Sequence, residues 1–225
     1  MDRSDPAYAG QADYTRLVLN LYDPIVIGVV AGLVWRVPGE ALLANYRQNI
    51  RPGHLDIGPG TAYCIVRSGL PAGSRITIMD PNQNVLEHAA RKLHRYDVTA
   101  VEADVLKPFP VPGPFESVGM NMVIHCLPGP TSRKALAIQN VAAVLSPAGT
   151  FFGATILGRA AEHSWLGHRV LTVFNKQRGF DNLDDSEGSL REMLEASFEH
   201  VNIDIVGSAA IFRASNPRSM VRPIA

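Results

Sequence analysis

A glycine-rich turn with the sequence Asp56-Ile-Gly-Pro-Gly-Thr-Ala-Tyr63 separates a predicted strand from a predicted helix. Glycines allow the backbone of such a turn to approach a ligand closely, and a helix N-terminus offers unpaired N–H groups. Tyr63 stands where the dinucleotide fingerprint requires its third glycine, and no Gly-Lys-Ser/Thr sequence follows the turn. We therefore expect the turn to bind a nucleoside-like ligand rather than a pyrophosphate.

Carboxylates stand at the ends of the next two predicted strands. Asp80 ends the second strand and Asp104 closely follows the third, so both are expected at the sheet edge where open α/β sheets bind ligands. A carboxylate at the position of Asp80 can accept hydrogen bonds from both hydroxyls of a ribose, and one at Asp104 can accept from the amine of an adenine. Alternatively, Asp80-Pro81 only caps the next helix and Asp104 is an acid in a loop. With Asp56 in the first strand, three acids at consecutive strand ends favour a nucleoside site.

This combination resembles the class I S-adenosylmethionine-dependent methyltransferases. The resemblance is strong over about residues 50–157 and returns at residues 198–214. It implies that residues 56–61 hold the methionine part of the cofactor, that Asp80 holds the ribose, and that Asp104 faces the adenine. The cofactor would be S-adenosylmethionine (SAM), with S-adenosylhomocysteine (SAH) as its product.

The segment Asn121-Met-Val-Ile-His-Cys-Leu-Pro128 is similar to the fourth-strand motif of that family, whose end borders the transferred methyl group. The resemblance thus implies a set of cofactor-binding residues, which are Asp56, Gly58, Pro59, Gly60, Thr61, Asp80, Pro81, Asn82, Asp104, Val105, Asn121 and Met122.

Two departures from the family pattern bear on function. Ala62 replaces the last glycine of the common Gly-x-Gly-Thr-Gly turn, which is tolerable if the residue already has helical angles, so we expect binding to survive. Asn121 is followed by Met-Val-Ile rather than by the Pro-Pro-Tyr/Phe of amino methyltransferases that act on nucleobases and protein amides. This absence weighs against DNA, RNA and protein substrates.

Histidines on the acceptor side of the predicted sheet are candidates for chemistry. His125, at the end of the fourth predicted strand, is the best candidate for a catalytic general base if the acceptor is a hydroxyl. His163 and His168 flank Trp165 after the fifth strand, so His163 and Trp165 are expected to bind substrate. Alternatively, His125 only orders a loop or packs against the cofactor, and the other three belong to an ordinary amphipathic helix.

The N-terminal region is predicted to form lid helices over the site. It holds Tyr22, Trp35 and Arg36, which we expect to line the substrate: the aromatic rings as walls, and Arg36 as a partner for a carboxylate. The alternative is that the aromatic residues only pack in the core. The apolar run at residues 24–35 could also serve as a dimer or membrane-surface helix.

Alternating strand and helix patterns over residues 54–156 predict βαβ units and a parallel sheet with right-handed crossovers. Two apolar segments near the C-terminus, joined by Gly207-Ser208, predict an antiparallel hairpin. The predicted fold is therefore α/β, a Rossmann-like doubly wound and mostly parallel sheet with an antiparallel C-terminal hairpin strand and N-terminal lid helices. We expect one domain, residues 1–225, made of a helical lid (1–48), a cofactor-binding core (50–157), substrate-side helices (158–197) and a terminal hairpin (198–215).

Two local features complete the expectations. Ser189-Leu-Arg-Glu192 fits a capping box that opens a helix. Cys64 and Cys126 are too few for a disulfide framework or a four-cysteine zinc site, and both are expected to be buried as small apolar residues.

Composition also bears on the class of partner and on the location of the protein. The 21 Lys+Arg residues balance the 21 Asp+Glu residues, whereas nucleic-acid binders usually carry a basic excess. The longest apolar run is far shorter than the roughly 20 residues that span a bilayer, so we expect a cytoplasmic protein without an integral membrane span. No metal is expected, and the oligomeric state is open.

The function indicated is SAM-dependent methyl transfer to a small-molecule acceptor of secondary metabolism, at a hydroxyl, thiol, amine or activated carbon. One alternative is a protein of the same fold that binds the cofactor without transferring a methyl group. The other is a nicotinamide-dependent oxidoreductase, against which Tyr63 and Asp104 count.

Overall fold

The computed structural model describes residues 32–159 and 161–218. The helices predicted before residue 32, with Tyr22, lie outside this part of the chain. The elements in chain order are α1 (Gly39–Asn49), β1 (His54–Ile57), α2 (Tyr63–Val66), β2 (Arg75–Asp80), α3 (Gln83–Lys92), β3 (Asp97–Glu102), β4 (Phe115–Asn121), α4 (Thr131–Val144), β5 (Leu145–Ile156), α5 (Trp165–Lys176), α6 (Glu187–Glu195), β6 (Phe198–Val206) and β7 (Ala209–Pro217).

The strands form one sheet in the order β3-β2-β1-β4-β5-β7-β6. β1 pairs in parallel with β2 and β4, and the parallel pairing continues to β3 on one side and β5 on the other. β7 runs antiparallel to both β5 and β6. The predicted mostly parallel α/β sheet with an antiparallel strand in the C-terminal hairpin is thereby confirmed.

Hydrophobic packing covers both faces of the sheet, as the period-two alternation of strand side chains requires. On β5, Phe151 packs into a cluster with Ile138 of α4 and Leu194 of α6. The next residue, Phe152, packs into a second cluster with Tyr46 of α1 and Leu86 of α3. The two clusters therefore cover opposite faces of the sheet.

Three local predictions need correction. β4 ends at Asn121, before the predicted Ile124, because Met122 has a φ of +59° and the chain turns out of the sheet there. The capping box of α6 begins at Ser186 rather than Ser189: the Ser186 hydroxyl accepts from Ser189 N, and the Ser189 hydroxyl accepts from Ser186 N. A serine thus performs the role expected of Glu192.

The third correction concerns the cysteines. Cys64 is buried as predicted, but Cys126 is exposed, since it lies on a short 3₁₀ turn (Ile124–Cys126) outside the sheet. Within residues 32–159 and 161–218, no helix is long and apolar enough to cross a bilayer.

Candidate active site

The glycine-rich turn leaves β1 at the carboxyl edge of the sheet in a left-handed conformation. Gly58 has a φ of +67° and Gly60 a φ of +53°, values that non-glycine residues seldom adopt. A Cβ added to Gly58 would lie 2.5 Å from Cγ2 of Val123, so this glycine lets the turn pack against the segment after β4. A Cβ added to Gly60 would meet no atom within 4 Å, so the backbone there is open to a ligand.

Ala62, which departs from the family's last glycine, has φ +58° and ψ 20°. The condition under which this alanine was expected to be tolerated, ordinary helical angles, is therefore not met, and the residue occupies the left-handed region that a glycine would occupy without strain. Its amide donates to Pro59 O at 2.8 Å and its carbonyl accepts from Val66 N at 3.0 Å, which holds the residue in place. A left-handed alanine costs about 1 kcal/mol, so the turn carries local strain.

Asp80 and Asp104 lie at the edge that the sequence predicted. The Oδ1 atom of Asp80 accepts from Asn82 N at 2.8 Å, and that of Asp104 accepts from Leu106 N at 3.0 Å. Each carboxylate therefore has one oxygen engaged in its own loop, while no described residue donates to either Oδ2 atom. Burial raises the pKa of Asp80 to about 7, although the hydrogen bond from Asn82 lowers it.

Asp56 lies beneath the turn, in a buried polar network that sequence reasoning missed. Its Oδ2 accepts from Tyr46 Oη at 2.8 Å and lies 3.0 Å from His54 Nε2, and His54 Nδ1 lies 2.9 Å from Ser117 Oγ. Burial and the carboxylate of Asp56 raise the pKa of Tyr46. Gly119 makes room for the network, because a Cβ there would lie 2.9 Å from the Asp56 carboxylate. The only signal in the sequence is the i,i+2 spacing that puts His54 and Asp56 on one strand face.

His125 lies beside the end of β5, but its environment does not suit a general base. Its Nδ1 atom accepts a hydrogen bond from Ile156 N at 3.2 Å and lies 3.2 Å from Thr155 Oγ1. A backbone N–H can only donate, so the ring proton of neutral His125 resides on Nε2. Burial and the charge of Lys134 lower the pKa of His125 to about 3. The ring is therefore neutral and presents a donor, which counts against the predicted role as a base.

An aromatic cluster joins three of the predicted substrate-side residues through one that was not predicted. The ring of Phe180 lies 4.3 Å from that of His125 and 6.0 Å from that of Trp35, between ring centroids. Trp35 in turn lies 5.8 Å from His163, and Phe174 stacks on Phe180 at 4.9 Å. Phe180 falls in a segment without strand or helix periodicity, so no sequence signal pointed to it.

A buried lysine fixes Phe180 in this cluster. Lys134 Nζ donates to Asp185 Oδ2 at 2.6 Å and to the carbonyl of Asp181. Asp181 is held further, because its amide donates to His125 O at 2.9 Å and its Oδ2 accepts from Gly129 N at 2.7 Å. The amide of Phe180 itself donates to Phe174 O at 3.3 Å, so the loop is held at Phe180 and at the residues that directly follow it.

Two other predicted substrate residues do not join the cluster. The Trp165 side chain is exposed, with the guanidinium of Arg169 5.2 Å above its ring. Arg36 is exposed and donates from Nη2 to the carbonyl of Glu162. Both residues fall close to the site in sequence, but their side chains serve other contacts.

The fold and the sheet-edge site together define a class of protein, and comparisons with known proteins agree. The family model of the methyltransferase domain matches residues 55–149. The chain is 37% identical over 207 residues to a demethylluteothin O-methyltransferase from Streptomyces thioluteus, covering 91% of this chain and 90% of the relative. It is 34% identical over 221 residues to a physcion biosynthesis cluster O-methyltransferase from Aspergillus chevalieri, covering 97% and 100%.

Among solved structures, the DhpI–SAH complex matches with a TM-score of 0.67 at 17% identity, over 93% of this chain and 96% of that one, which supports the fold. The chain belongs to the class I S-adenosylmethionine-dependent methyltransferases. It is an enzyme that transfers a methyl group from SAM to a small molecule, and this membership disfavours the two alternatives drawn from the sequence.

Proposed function

We propose that the enzyme methylates a hydroxyl oxygen of a small, largely apolar acceptor that lies against the cluster of Trp35, Phe180 and His125. The observation that carries the choice of oxygen is the match, over about nine-tenths of both chains, to a relative named as an O-methyltransferase. The aromatic rings supply the apolar wall that such an acceptor needs.

The residues present fit the cofactor. The open backbone at Gly60 would accommodate the methionine part, and the second carboxylate oxygens of Asp80 and Asp104 would accept from the ribose hydroxyls and the adenine amine. In this proposal Asp56 supports the turn from below through Tyr46 and His54 instead of reaching into the cleft. The remaining proposed contacts flank these positions and are Gly58, Pro59, Thr61, Pro81, Asn82, Val105, Asn121 and Met122.

When bound, the cofactor supplies a methyl carbon made electrophilic by a positive sulfonium. The protein's task is then to align the acceptor oxygen with that carbon and to exclude water. Val123 packs against Gly58, so the segment that leads to His125 is held directly beside the cofactor turn. The fixed loop around Phe180 would hold the acceptor on the other side of this segment.

Titration calorimetry with SAM and with SAH tests the cofactor site. Asp80→Asn keeps the shape but removes the charge, and a hydrogen bond to a charged group contributes about 1.5–3 kcal/mol, so Kd should rise by a factor of roughly 10–100. Asp97→Asn is the matched control, because Asp97 begins β3 at the opposite edge of the sheet and is exposed. Equal affinities of the wild type and Asp80→Asn would contradict the assignment.

Mass spectrometry of acceptors tests the transferred position. The enzyme is incubated with SAM and paired aromatic acceptors that differ only in bearing a hydroxyl or an amine. We expect a gain of one methyl group on the hydroxyl member. Methylation of the amine alone would overturn O-methylation, and SAH binding without methylation of either member would overturn the choice of acceptor.

A further inference from the structure

The second histidine of the acceptor side, His163, has the hydrogen-bond geometry that His125 lacks. We propose that His163 is the general base that takes the proton of the acceptor hydroxyl through its Nδ1 atom. This inference rests on the proposed function, since only an acceptor that loses a proton needs such a group.

The orientation of the His163 ring follows from one backbone contact. His163 Nε2 lies 2.8 Å from Gly158 O, and a carbonyl can only accept, so the ring proton resides on Nε2 and Nδ1 carries a lone pair. The carbonyl is itself well positioned, because Gly158 N donates to Asp185 O at 2.7 Å. A Cβ on Gly158 would come within 2.1 Å of Asn182 O, so no other residue type fits there. A base oriented by a fixed second group is the arrangement that proton transfer requires.

The Nδ1 atom of His163 is buried and has no hydrogen-bond partner. It is the one such side-chain nitrogen or oxygen found in residues 32–159 and 161–218. Leaving a buried acceptor unpaired costs about 1–3 kcal/mol, and native proteins seldom tolerate it without a reason. A hydroxyl of the bound acceptor would satisfy the lone pair.

Both histidines are oriented by the same stretch of chain at the end of β5, but they present opposite groups. Ile156 N donates to His125, which leaves a ring N–H, whereas Gly158 O accepts from His163, which leaves a ring lone pair. The ring of His163 contacts Trp35, which belongs to the aromatic cluster proposed to hold the acceptor. The base therefore borders the same wall as the substrate.

Other titratable groups surround His163. The ring of His168 lies 5.2 Å away between centroids. Arg36 bonds the carbonyl of Glu162, the neighbouring residue in sequence, and the exposed pair of Arg159 and Asp184 flanks Gly158 with a 3.6 Å contact. Both signs of charge are therefore present around the ring.

The proton balance of the step is simple. The acceptor oxygen forms a bond to the methyl carbon while the bond from that carbon to sulfur breaks and its electron pair remains on sulfur. The proton of the acceptor hydroxyl passes to His163 Nδ1, which leaves an imidazolium whose Nε2–H still donates to Gly158 O. The imidazolium then releases its proton to water.

The test compares His163→Gln with His94→Gln, an exposed histidine between α3 and β3 at the far edge of the sheet. Glutamine can place its amide nitrogen near the position of ring Nε2 and keep the bond to Gly158 O, but it cannot take a proton. We expect kcat to fall by a factor of roughly 10²–10⁴, with SAH affinity by calorimetry within twofold of the wild type. The dependence of kcat on pH should differ between His163→Gln and the wild type. His94→Gln should match the wild type.

A second measurement does not depend on turnover. In a ¹⁵N-histidine NMR spectrum of the free protein, the resonances lost in His163→Gln should belong to a ring protonated at Nε2 with an unprotonated Nδ1. A proton on Nδ1 would overturn the proposal whatever the activity.

Kinetics separate this inference from the proposed function. If the wild type methylates a hydroxyl and His163→Gln retains kcat within threefold with an unchanged pH profile, His163 is not the base and O-methylation stands. If the wild type binds SAH and methylates only amines, the proposed function is wrong, and the base assignment falls with it.

Discussion

Replacing Lys134 with methionine removes the cation that anchors the Phe180 loop while retaining most of the apolar stem. The Lys134 side chain is 0% exposed, and its partner Asp185 is only 10% exposed in its side chain. Breaking a buried ion pair by removing one member costs about 3–5 kcal/mol, because the other charge stays buried without a partner. Because Asp185 is slightly exposed, water can solvate part of its carboxylate, and we expect the lower end of this range, a decrease of about 3 kcal/mol in the free energy of unfolding.

The same substitution should affect the acceptor more than the cofactor. Without the ammonium, the carbonyl of Asp181 and the carboxylate of Asp185 lose their donor, so the loop can move away from His125. The acceptor then meets a wall that is no longer fixed. We expect KM for the acceptor to rise about tenfold, whereas SAH affinity changes less than threefold because the glycine-rich turn lies on the other side of β4.

Urea unfolding followed by fluorescence gives the free energy of unfolding. Steady-state kinetics give KM for the acceptor, and calorimetry gives the affinity for SAH. Lys176→Met is the matched control, since Lys176 ends α5, is exposed and carries the same charge. This substitution should lower the free energy of unfolding by less than about 0.5 kcal/mol. A Lys134→Met, Asp185→Leu double variant should regain part of the lost stability. A free energy of unfolding for Lys134→Met within about 1 kcal/mol of the wild type, or an equal fall in SAH and acceptor affinities, would show that Lys134 does not anchor the loop.

Three further predictions concern the cofactor side of the site. Ala62→Gly removes about 1 kcal/mol of left-handed strain, but glycine gives the unfolded chain more freedom, which offsets about 0.4–1 kcal/mol. The net gain is about 0–0.6 kcal/mol, so Tm should rise by at most about 2 °C. A lower Tm by calorimetric scanning would argue against the strain. Gly119→Ala forces a methyl against the Asp56 carboxylate and should cost about 1–3 kcal/mol in urea unfolding, and an unchanged midpoint would mean that the network shifts freely. Asp80 is neutral below its pKa of about 7 and ionised above it, so SAH affinity should strengthen as pH rises from 6 to 8, and the dependence should vanish in Asp80→Asn. The sign is opposite for the stability of the protein without ligand. Because the pKa of Asp80 is higher in the folded than in the unfolded state, its contribution to stability falls as pH rises through about 4–7. Urea unfolding of the wild type and of Asp80→Asn at several pH values would show this difference.

Much of the candidate cofactor site could be predicted because its signals are local. The turn at Gly58 and Gly60 and the acids Asp80 and Asp104 each directly follow a strand, and the carboxyl ends of parallel strands share one edge of the sheet. Strand alternation and the short Gly207-Ser208 join were likewise enough to predict the sheet and its antiparallel strand. Backbone angles were not accessible in this way, and Ala62 was misjudged because its left-handed conformation depends on how the turn packs.

The acceptor side depends on contacts between residues that are distant in the chain. The proton position on His125 is decided by an amide 31 residues away, and the anchor of the Phe180 loop joins residues 51 apart. A histidine has the same sequence signature whether its lone pair is buried and bonded, as in His125, or buried and open, as in His163. The sequence by itself therefore determined the sheet and the edge at which a cofactor is expected, because these follow from local periodicity and strand ends, whereas the kind of reaction followed from the resemblance to a known family. Only the tertiary structure decided which histidine can accept a proton, because that depends on which backbone donor or acceptor the fold brings to each ring nitrogen.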